Sequence, residues 1–363
     1  MSTSENRRSA GRKKWLLVAW AVFFLAGLGI WIISLLTLDP GRAWRALLVN
    51  FNYFTPLAAG LVTWTAIVIA ANGKWSRPFD HLAAGGLGFA LPSLLALGAL
   101  WLGWEQWLPW IAVPQPKWLR LPFYFIRDFL TLTIFWVLAA WYLLRRNRDG
   151  GKIAGVWLVI VYGYIFSLLG FDLVMAMDPR WHSTLFGGYY AITGLYIAVA
   201  AWALMAAWQP AVDRDRLHDL GNLVLAFAIL STYLMFAQLL PIWYENLPPE
   251  TRYVLPRLKE LPWVGISVLL LMTIYLGPLV FLLTIWSKRN RWFLGGAALV
   301  ILFCQWLERN WLIQPQFAKG LHLGLTEFGT ALGFLGAMGL SFELCRRWLP
   351  MFTPREKEGS GHE

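Results

Sequence analysis

Residues 152–179 read KIAGVWLVIVYGYIFSLLGFDLVMAMDP. The part from 152 to 177 is almost continuously apolar, and Asp172 is the only acidic residue before the closing Asp178-Pro179 pair. A bilayer core about 30 Å thick needs about 20 helical residues to cross it. Because backbone groups cannot stay unpaired in lipid, a run this long and apolar predicts a transmembrane helix and not a barrel strand.

Similar runs fill most of the chain. It is 58% hydrophobic and only 14% charged, with 24 Trp among its 363 residues and a mean hydropathy of +0.53. A soluble domain usually has about half apolar and a quarter charged residues. The composition therefore predicts an all-α polytopic membrane protein with about ten transmembrane helices. These lie near 15–38, 44–71, 81–104, 121–144, 152–177, 185–208, 219–243, 262–286, 292–313 and 324–348.

The chain also repeats itself with a shift of about 138 residues. Asp39-Pro40 precedes one set of spans, Asp178-Pro179 precedes the next, and Gln314-Pro315 follows the second set. Collinear landmarks between these pairs indicate a duplicated membrane unit, whose seam is the expected place for a site. The matched landmarks are Phe89 with Phe227, Ser93 with Ser231, Trp104 with Trp243, Pro109 with Pro248, Arg145 with Lys288, and Asp172 with Glu308.

The duplication predicts two repeated four-helix bundles, with one flanking helix at each end. In order, we expect a cytoplasmic basic leader (1–14), a first transmembrane helix (15–38), a first four-helix repeat (39–177), a second four-helix repeat (178–313), an outer loop with the tenth helix (314–348), and a cytoplasmic tail (349–363).

The basic residues predict the orientation. Twenty of the 31 Lys and Arg residues lie at the two termini or in the loops on the same side. By the positive-inside rule both termini are cytoplasmic. The net charge of +11 is then mostly a topology signal and an attraction to anionic lipid, so we expect no binding to nucleic acid. The first apolar run lacks a cleavage site, which predicts that it remains as the first span.

Cysteine and histidine exclude several cofactors. Cys304 and Cys345 lie in separate predicted spans, and no Cys-x-x-Cys-His or four-cysteine pattern is present. None of the five histidines lies in the middle of a span, as a membrane b-type haem would require. We therefore predict no metal site, no catalytic residue and no redox centre in this chain.

Two of the histidines occupy equivalent places in the repeats. His81 follows Asp80, and His218 precedes Asp219, at the cytoplasmic starts of the third and seventh spans. Acidic residues cap helix starts, so one interpretation is that Asp80 and Asp219 have a structural role as caps. The alternative is that these four residues form a cytoplasmic proton entry.

Ionisable residues inside spans mark functional sites by default. Asp172 lies six residues before Asp178, about 9 Å deeper in the membrane, and Glu308 lies six before Gln314. These equal depths suggest that Asp172 and Glu308 form an outer proton pathway. The alternatives are buried salt bridges and contact with a quinone carbonyl. The candidate residues are Arg127, Asp128, Asp172, Asp178, Glu308, Arg309 and Glu327.

The central motif carries a family resemblance. Residues 171–187, FDLVMAMDPRWHSTLFG, resemble the signature of the ActF-type membrane subunit of bacterial alternative complex III, a quinol:cytochrome c oxidoreductase. LHDLG at 217–221 and WYENLPPE at 243–250 are similar to its next two motifs, in the same order. ActF-type subunits are related to NrfD-like quinol-handling membrane proteins. Their fold of ten helices with two four-helix bundles agrees with the repeat inferred above.

The resemblance implies an integral membrane subunit of a respiratory quinol-oxidising complex in the bacterial inner membrane. It implies that this chain holds no cofactor, although it can contact quinol. Haem c and iron–sulfur clusters would belong to partners: a multihaem cytochrome c, an iron–sulfur subunit and a second NrfD-like subunit. The role of this chain would be to assist quinol oxidation, proton conduction or assembly.

Two other functions are open at this point. One is a secondary transporter with parallel repeats, although the spans lack the pair of interrupted helices expected at a midplane substrate site. The other is an NrfD-like anchor that passes quinol electrons to a molybdenum or iron–sulfur oxidoreductase. Partner proteins distinguish these, since only the complex III-like assembly contains a multihaem cytochrome.

Overall fold

The computed structural model describes residues 3–73, 75, 80–110, 117–146, 150–209, 212–317 and 320–348. Within these ranges the regular structure is entirely helical, and nine segments are long and apolar enough to cross a membrane. The prediction of an all-α polytopic membrane protein is confirmed. The predicted tail at 349–363 lies outside the described residues, and the predicted leader is part of the first helix.

Fifteen α-helices build the described part of the chain, with short π- and 3₁₀-helical turns between some of them. They are α1 (Thr3–Ile33), α2 (Pro40–Ala70), α3 (Asp80–Gly88), α4 (Ala90–Leu102), α5 (Trp104–Trp107), α6 (Leu121–Arg145), α7 (Gly151–Leu173), α8 (Phe186–Ala207), α9 (Arg214–Glu245), α10 (Pro248–Lys259), α11 (Trp263–Leu270), α12 (Leu276–Phe281), α13 (Ile285–Arg289), α14 (Arg291–Ile313) and α15 (Leu325–Trp348).

The predicted ninth span is α14, which is less apolar than the nine segments counted above. It has 23 residues, enough for about 35 Å of helix. Its second half carries Gln305, Glu308 and Arg309, and all three side chains are buried. Because α14 packs against α2 and α8, its polar residues face protein and not lipid, which explains how a polar helix occupies this place.

Two predicted spans are interrupted. The third divides into α3 and α4 at Phe89, and the eighth contains a π-helical turn at Leu271–Tyr275 and a bend at residues 282–284. The sequence pattern predicted neither interruption. The interrupted spans are not repeat equivalents, because the counterpart of the third is the continuous helix α9 and that of the eighth is α6. They therefore do not form the matched pair that parallel-repeat transporters use.

The centre of the molecule is the contact between α2 and α8, the most buried of the long apolar helices. Residues 138 positions apart meet there: the Tyr190 hydroxyl donates to Asn52 Oδ1 over 2.7 Å, and the Trp64 and Trp202 rings lie 6.3 Å apart. In the same way α7 packs on α8, and α14 packs on α2. Contacts between equivalent residues are the pattern that a two-fold axis along this seam produces.

The flanking helices α1 and α15 pack against each other along their length. Glycines make this close approach possible. A Cβ atom added at Gly27 would lie 2.2 Å from the backbone nitrogen of Gly333, and one added at Gly339 would lie 2.2 Å from the Trp20 ring. The glycine face of α15 is therefore used within the chain, by α1.

The close crossing of α1 and α15 can be tested with two matched glycine substitutions on α1. We expect Gly27→Ala to lower stability by about 1 kcal/mol, because the overpacking is relieved only if α1 tilts outward. Gly29→Ala, two residues away, should be neutral or slightly stabilising, because no described atom lies within 4 Å of the added Cβ. Thermal unfolding of the two variants in detergent measures the difference, and equal melting temperatures would contradict the close crossing.

Candidate functional site

The first polar site lies where α6 begins and α7 ends, and we call it the Asp172 cluster (Trp118, Tyr124, Arg127, Asp128 and Asp172). Arg127 Nη2 lies 2.6 Å from Asp172 Oδ2, and Arg127 Nε lies 3.3 Å from Asp128 Oδ1. Trp118 Nε1 donates to Asp172 Oδ1 over 3.2 Å. The Tyr124 hydroxyl donates to the Asp172 carbonyl over 2.7 Å. The bonds from Arg127 and Tyr124 to Asp172 join the two helices.

The Asp172 cluster has two buried carboxyl groups for one guanidinium. The guanidinium carbon of Arg127 lies 4.0 Å from the centre of the Trp118 ring, which shields it from lipid. Asp128 Oδ2 has no hydrogen-bond partner within the described ranges. Because two carboxylates beside one cation leave an uncompensated buried charge, the arrangement favours one proton shared by the acid pair.

The second polar site lies at the seam, and we call it the Glu308 cluster (Tyr189, Tyr275, Glu308 and Arg309). Tyr189 and Tyr275 both donate their hydroxyl groups to Glu308 Oε1, and the two phenol oxygens lie 2.8 Å apart. Tyr275 ends the π-helical turn, so the irregularity of the eighth span places this donor. π-Helical turns often occur at functional sites for this reason.

Glu308 is 0% exposed, and no Lys, Arg or His nitrogen in the described part of the chain lies within 4 Å of its carboxyl oxygens. Its Oε2 atom also lacks a described hydrogen-bond partner. Burial without an ion pair disfavours the carboxylate form of Glu308, whereas the two phenol hydrogen bonds favour it. The geometry therefore suits a group that holds a proton and exchanges it through the phenols.

Arg309 follows Glu308 but points to different partners. Its Nη2 atom donates to Thr193 Oγ1 over 2.7 Å, and its guanidinium lies 4.8 Å from the Tyr190 ring. Its Nε and Nη1 atoms, like both amide atoms of Gln305, have no partner among the residues that the structure describes. Native proteins rarely leave so many buried polar atoms unpaired, which makes this layer a candidate site. Other buried polar residues are Asn50, Asn52 and Thr55 on α2 and Asn310 on α14.

A cavity of about 30 Å³ lies beside the Glu308 cluster, between α8, α9, α10 and the end of α14. Tyr189 forms part of its wall, with Gln238, Trp181 and Tyr253. This volume is large enough for one or two water molecules, although its walls are almost entirely apolar. The hydroxyl of Tyr253 and the indole nitrogen of Trp181 have no partner within the described residues. Tyr189, one hydrogen bond from Glu308, therefore shares this cavity with Gln238, Tyr253 and Arg257.

Arg257 is a buried cation of this region that the sequence did not single out. Its Nε donates to the Trp311 carbonyl over 3.1 Å, and its Nη2 donates to the Leu312 carbonyl over 2.8 Å. It thus satisfies the last carbonyls of α14, which have no intrahelical partner. The guanidinium carbon lies 3.6 Å from the centre of the Tyr253 ring, and burial lowers the pKa of Arg257.

Burial raises the pKa of the Tyr253 phenol, although Arg257 acts in the opposite direction. Tyr253 therefore stays a hydroxyl donor at neutral pH, with its ring stacked 3.8 Å from that of Trp181. A Tyr and an Arg four residues apart share one face of a helix, which is the only sequence signal for this pair. Nothing in the sequence shows that this face meets the end of α14.

The remaining acidic candidates near these loops are separate from both clusters. Asp178 Oδ2 lies 3.5 Å from Arg252 Nε, and Asp178 Oδ1 accepts from the Arg180 backbone over 3.2 Å. Glu327 accepts two hydrogen bonds from the guanidinium of Arg42, at 2.7 and 2.6 Å. The structure thus brings Arg127, Asp128 and Asp172 together. The other candidates lie in three separate places: Glu308 and the adjacent Arg309 in one, Asp178 in a second, and Glu327 in a third.

The structure describes the side chains of only two of the four residues predicted to form a cytoplasmic proton entry, His218 and Asp219. His218 Nδ1 lies 3.9 Å from Asp219 Oδ1 and 3.3 Å from Asn222 Nδ2. Lys288 Nζ donates to Asn222 Oδ1 over 2.7 Å, so this polar group reaches the end of α13. The side chains of Asp80 and His81 lie outside the described residues, although Asp80 is the first residue of α3.

No family model and no curated protein matches this chain. In the residues that the structure describes, no three His, Cys, Asp or Glu side chains form a group that could hold a metal ion. The fold and the two clusters define a class: a polytopic all-α membrane protein with buried polar clusters between its helices.

Proposed function

We propose that this chain is a cofactor-free integral membrane subunit of a respiratory quinol-oxidising complex similar to alternative complex III. Within that complex it handles protons at Glu308, with Asp172 as a second acid at a similar depth. The membrane is the bacterial cytoplasmic membrane, with both termini in the cytoplasm. The redox centres belong to partners, which would include a multihaem cytochrome c, an iron–sulfur subunit and a second NrfD-like protein.

The observation that carries the proton role is the environment of Glu308. The carboxyl group is buried at the seam, accepts from two tyrosine hydroxyls on one oxygen, and has a free second oxygen among the described residues. A purely structural acid in a membrane protein normally pairs with a cation, as Glu327 does with Arg42. Glu308 has the hydrogen bonds needed for proton exchange without an ion pair that would fix its charge.

Two residues of the family-like motif lie beside this site. Trp181 and Phe186, both within the segment 171–187, line the cavity next to Tyr189. The third similar segment, 243–250, leads into α10, which supplies Tyr253 and Arg257 to the same cavity. Because segment 171–187 and α10 are distant in sequence and in contact in space, the resemblance and the geometry support the same site.

Affinity purification of the tagged chain in mild detergent, with partner identification and a haem spectrum, tests the assembly. We expect haem c, an iron–sulfur subunit and a second NrfD-like protein to co-purify. A molybdopterin oxidoreductase without a cytochrome would instead support the anchor function. A colourless protein without partners would contradict the respiratory assignment and leave a secondary transporter as the function to test.

A further inference from the structure

A second, larger opening lies between α12 and the first half of α14. It is a groove of about 390 Å³, within the range of about 300–1,000 Å³ typical of small-molecule sites. Its walls are almost entirely apolar and include Met272, Phe281, Trp292 and Val300. Its residues take part in neither the Asp172 cluster nor the Glu308 cluster.

The groove exists because the eighth span is irregular. The π-helical turn Leu271–Tyr275 and the bend at residues 282–284 leave α12 only six residues long. Gly277 and Gly296 lie in its walls, and neither has a side chain to fill it. A Cβ atom added at Gly296 would meet no described atom within 4 Å, so the space is open at this point.

Aromatic and basic residues gather at the end of the groove where α14 begins. Trp292 lines the groove and packs against Trp208, with ring centres 4.7 Å apart. Trp286 packs against Phe293 at 5.7 Å, and both Trp286 and Trp292 are largely exposed. Exposed tryptophans of this kind lie at the level of lipid headgroups.

Arg289 lies three residues before Trp292 and supplies a positive charge at this level. Its Nη2 atom is 2.6 Å from Asp215 Oδ1, and both side chains are exposed. An exposed pair of this kind contributes little and is easily exchanged for another anion. Neighbouring Arg291 donates to the backbone carbonyls of Gln209 and Val212, and Lys288 is buried and donates to Asn222. Of these three described basic residues, Arg289 is the most accessible to a ligand.

We infer that this groove binds an anionic phospholipid, with an acyl chain between α12 and α14 and the headgroup phosphate at Arg289. The apolar walls match a hydrocarbon chain. Trp286 and Trp292 lie at the level expected for the glycerol part of the lipid. The positive guanidinium of Arg289 complements the negative charge of the phosphate. The inference concerns a lipid site and does not depend on the proposed role in quinol oxidation.

The test measures bound lipid by native mass spectrometry and by extraction, after exchange into nanodiscs of phosphatidylglycerol or phosphatidylcholine. Wild-type protein should retain phosphatidylglycerol in preference to phosphatidylcholine. Gly296→Phe, which fills the groove, should lose most of the retained lipid. Gly163→Phe is the matched control, because Gly163 on α7 also has open space beside it in the described structure but lies on a different helix from the groove.

The headgroup contact is tested separately. Arg289→Gln should keep the lipid but weaken the preference for phosphatidylglycerol about fivefold, the equivalent of about 1 kcal/mol for one basic residue at a membrane surface. Lys152→Gln, a change of the same kind elsewhere on the basic side, should leave the preference unchanged. Equal lipid retention by Gly296→Phe and Gly163→Phe would overturn the site, as would a protein partner bound in the groove in place of lipid.

Discussion

Replacing Glu308 by Gln is expected to reduce proton movement through the protein by at least about 100-fold, the lower end of what a positioned proton-transfer group contributes. Glutamine has the same size and can still accept hydrogen bonds from Tyr189 and Tyr275. It cannot release and regain a proton. The packing at the seam therefore stays, while the exchange step is lost.

The measurement uses the protein, with any partners that co-purify, reconstituted in liposomes. A potassium diffusion potential drives protons inward, and a pH-sensitive dye inside the liposomes reports their arrival. Glu105→Gln, the same chemical change at an exposed carboxyl, should leave the flux unchanged. Wild-type flux in a correctly assembled Glu308→Gln protein would exclude Glu308 from the pathway.

Asp172→Asn should give a smaller loss in the same assay. Asp128 Oδ1 remains 3.3 Å from Arg127. The Asp172 cluster therefore keeps one carboxyl group that can still take up and release a proton. Glu308 has no carboxyl neighbour of this kind in the described part of the seam. A loss as complete as that of Glu308→Gln would make both acids obligatory steps of one pathway.

The sequence predicted the spans well because each one must satisfy a length and an apolarity set by the bilayer. It also singled out Asp172 and Glu308, since a charged residue in an apolar run is visible without a structure. It did not predict Tyr275 as a partner of Glu308. That contact depends on the π-helical turn at Leu271–Tyr275. A local change from α-helical to π-helical winding cannot be predicted from a run of apolar residues.

Arg257 and the groove beside α12 were missed for a related reason. Arg257 lies in a segment between two predicted spans, where a basic residue usually faces solvent, and its burial depends on how α10 folds back on the end of α14. The groove depends on where the eighth span bends. Features that arise from the mutual placement of helices follow from tertiary packing, whereas features within one helix can be read from its sequence.

The seam between α2 and α8 gives the largest expected effect on stability. A Cβ atom added at Gly60 would lie 2.5 Å from the Cβ atom of Ala198 and 3.1 Å from the carbonyl oxygen of Gly194. Both helices are enclosed by the rest of the protein, so neither can move aside. We expect Gly60→Ala to cost about 3 kcal/mol, the upper part of the range for overpacked cores, and to lower the melting temperature in detergent.

Gly60 and Ala198 are equivalent positions of the two repeats, which allows a reciprocal experiment. Adding Ala198→Gly to Gly60→Ala exchanges the two residues and removes the shorter of the two clashes, so the double variant should regain most of the lost stability. Gly98→Ala on α4 is the matched control, since no described atom lies within 4 Å of its added Cβ, and it should be neutral or slightly stabilising. A double variant no more stable than Gly60→Ala alone would show that the two positions do not meet. The contact of equivalent residues across the seam, on which the two-fold arrangement depends, would then be wrong.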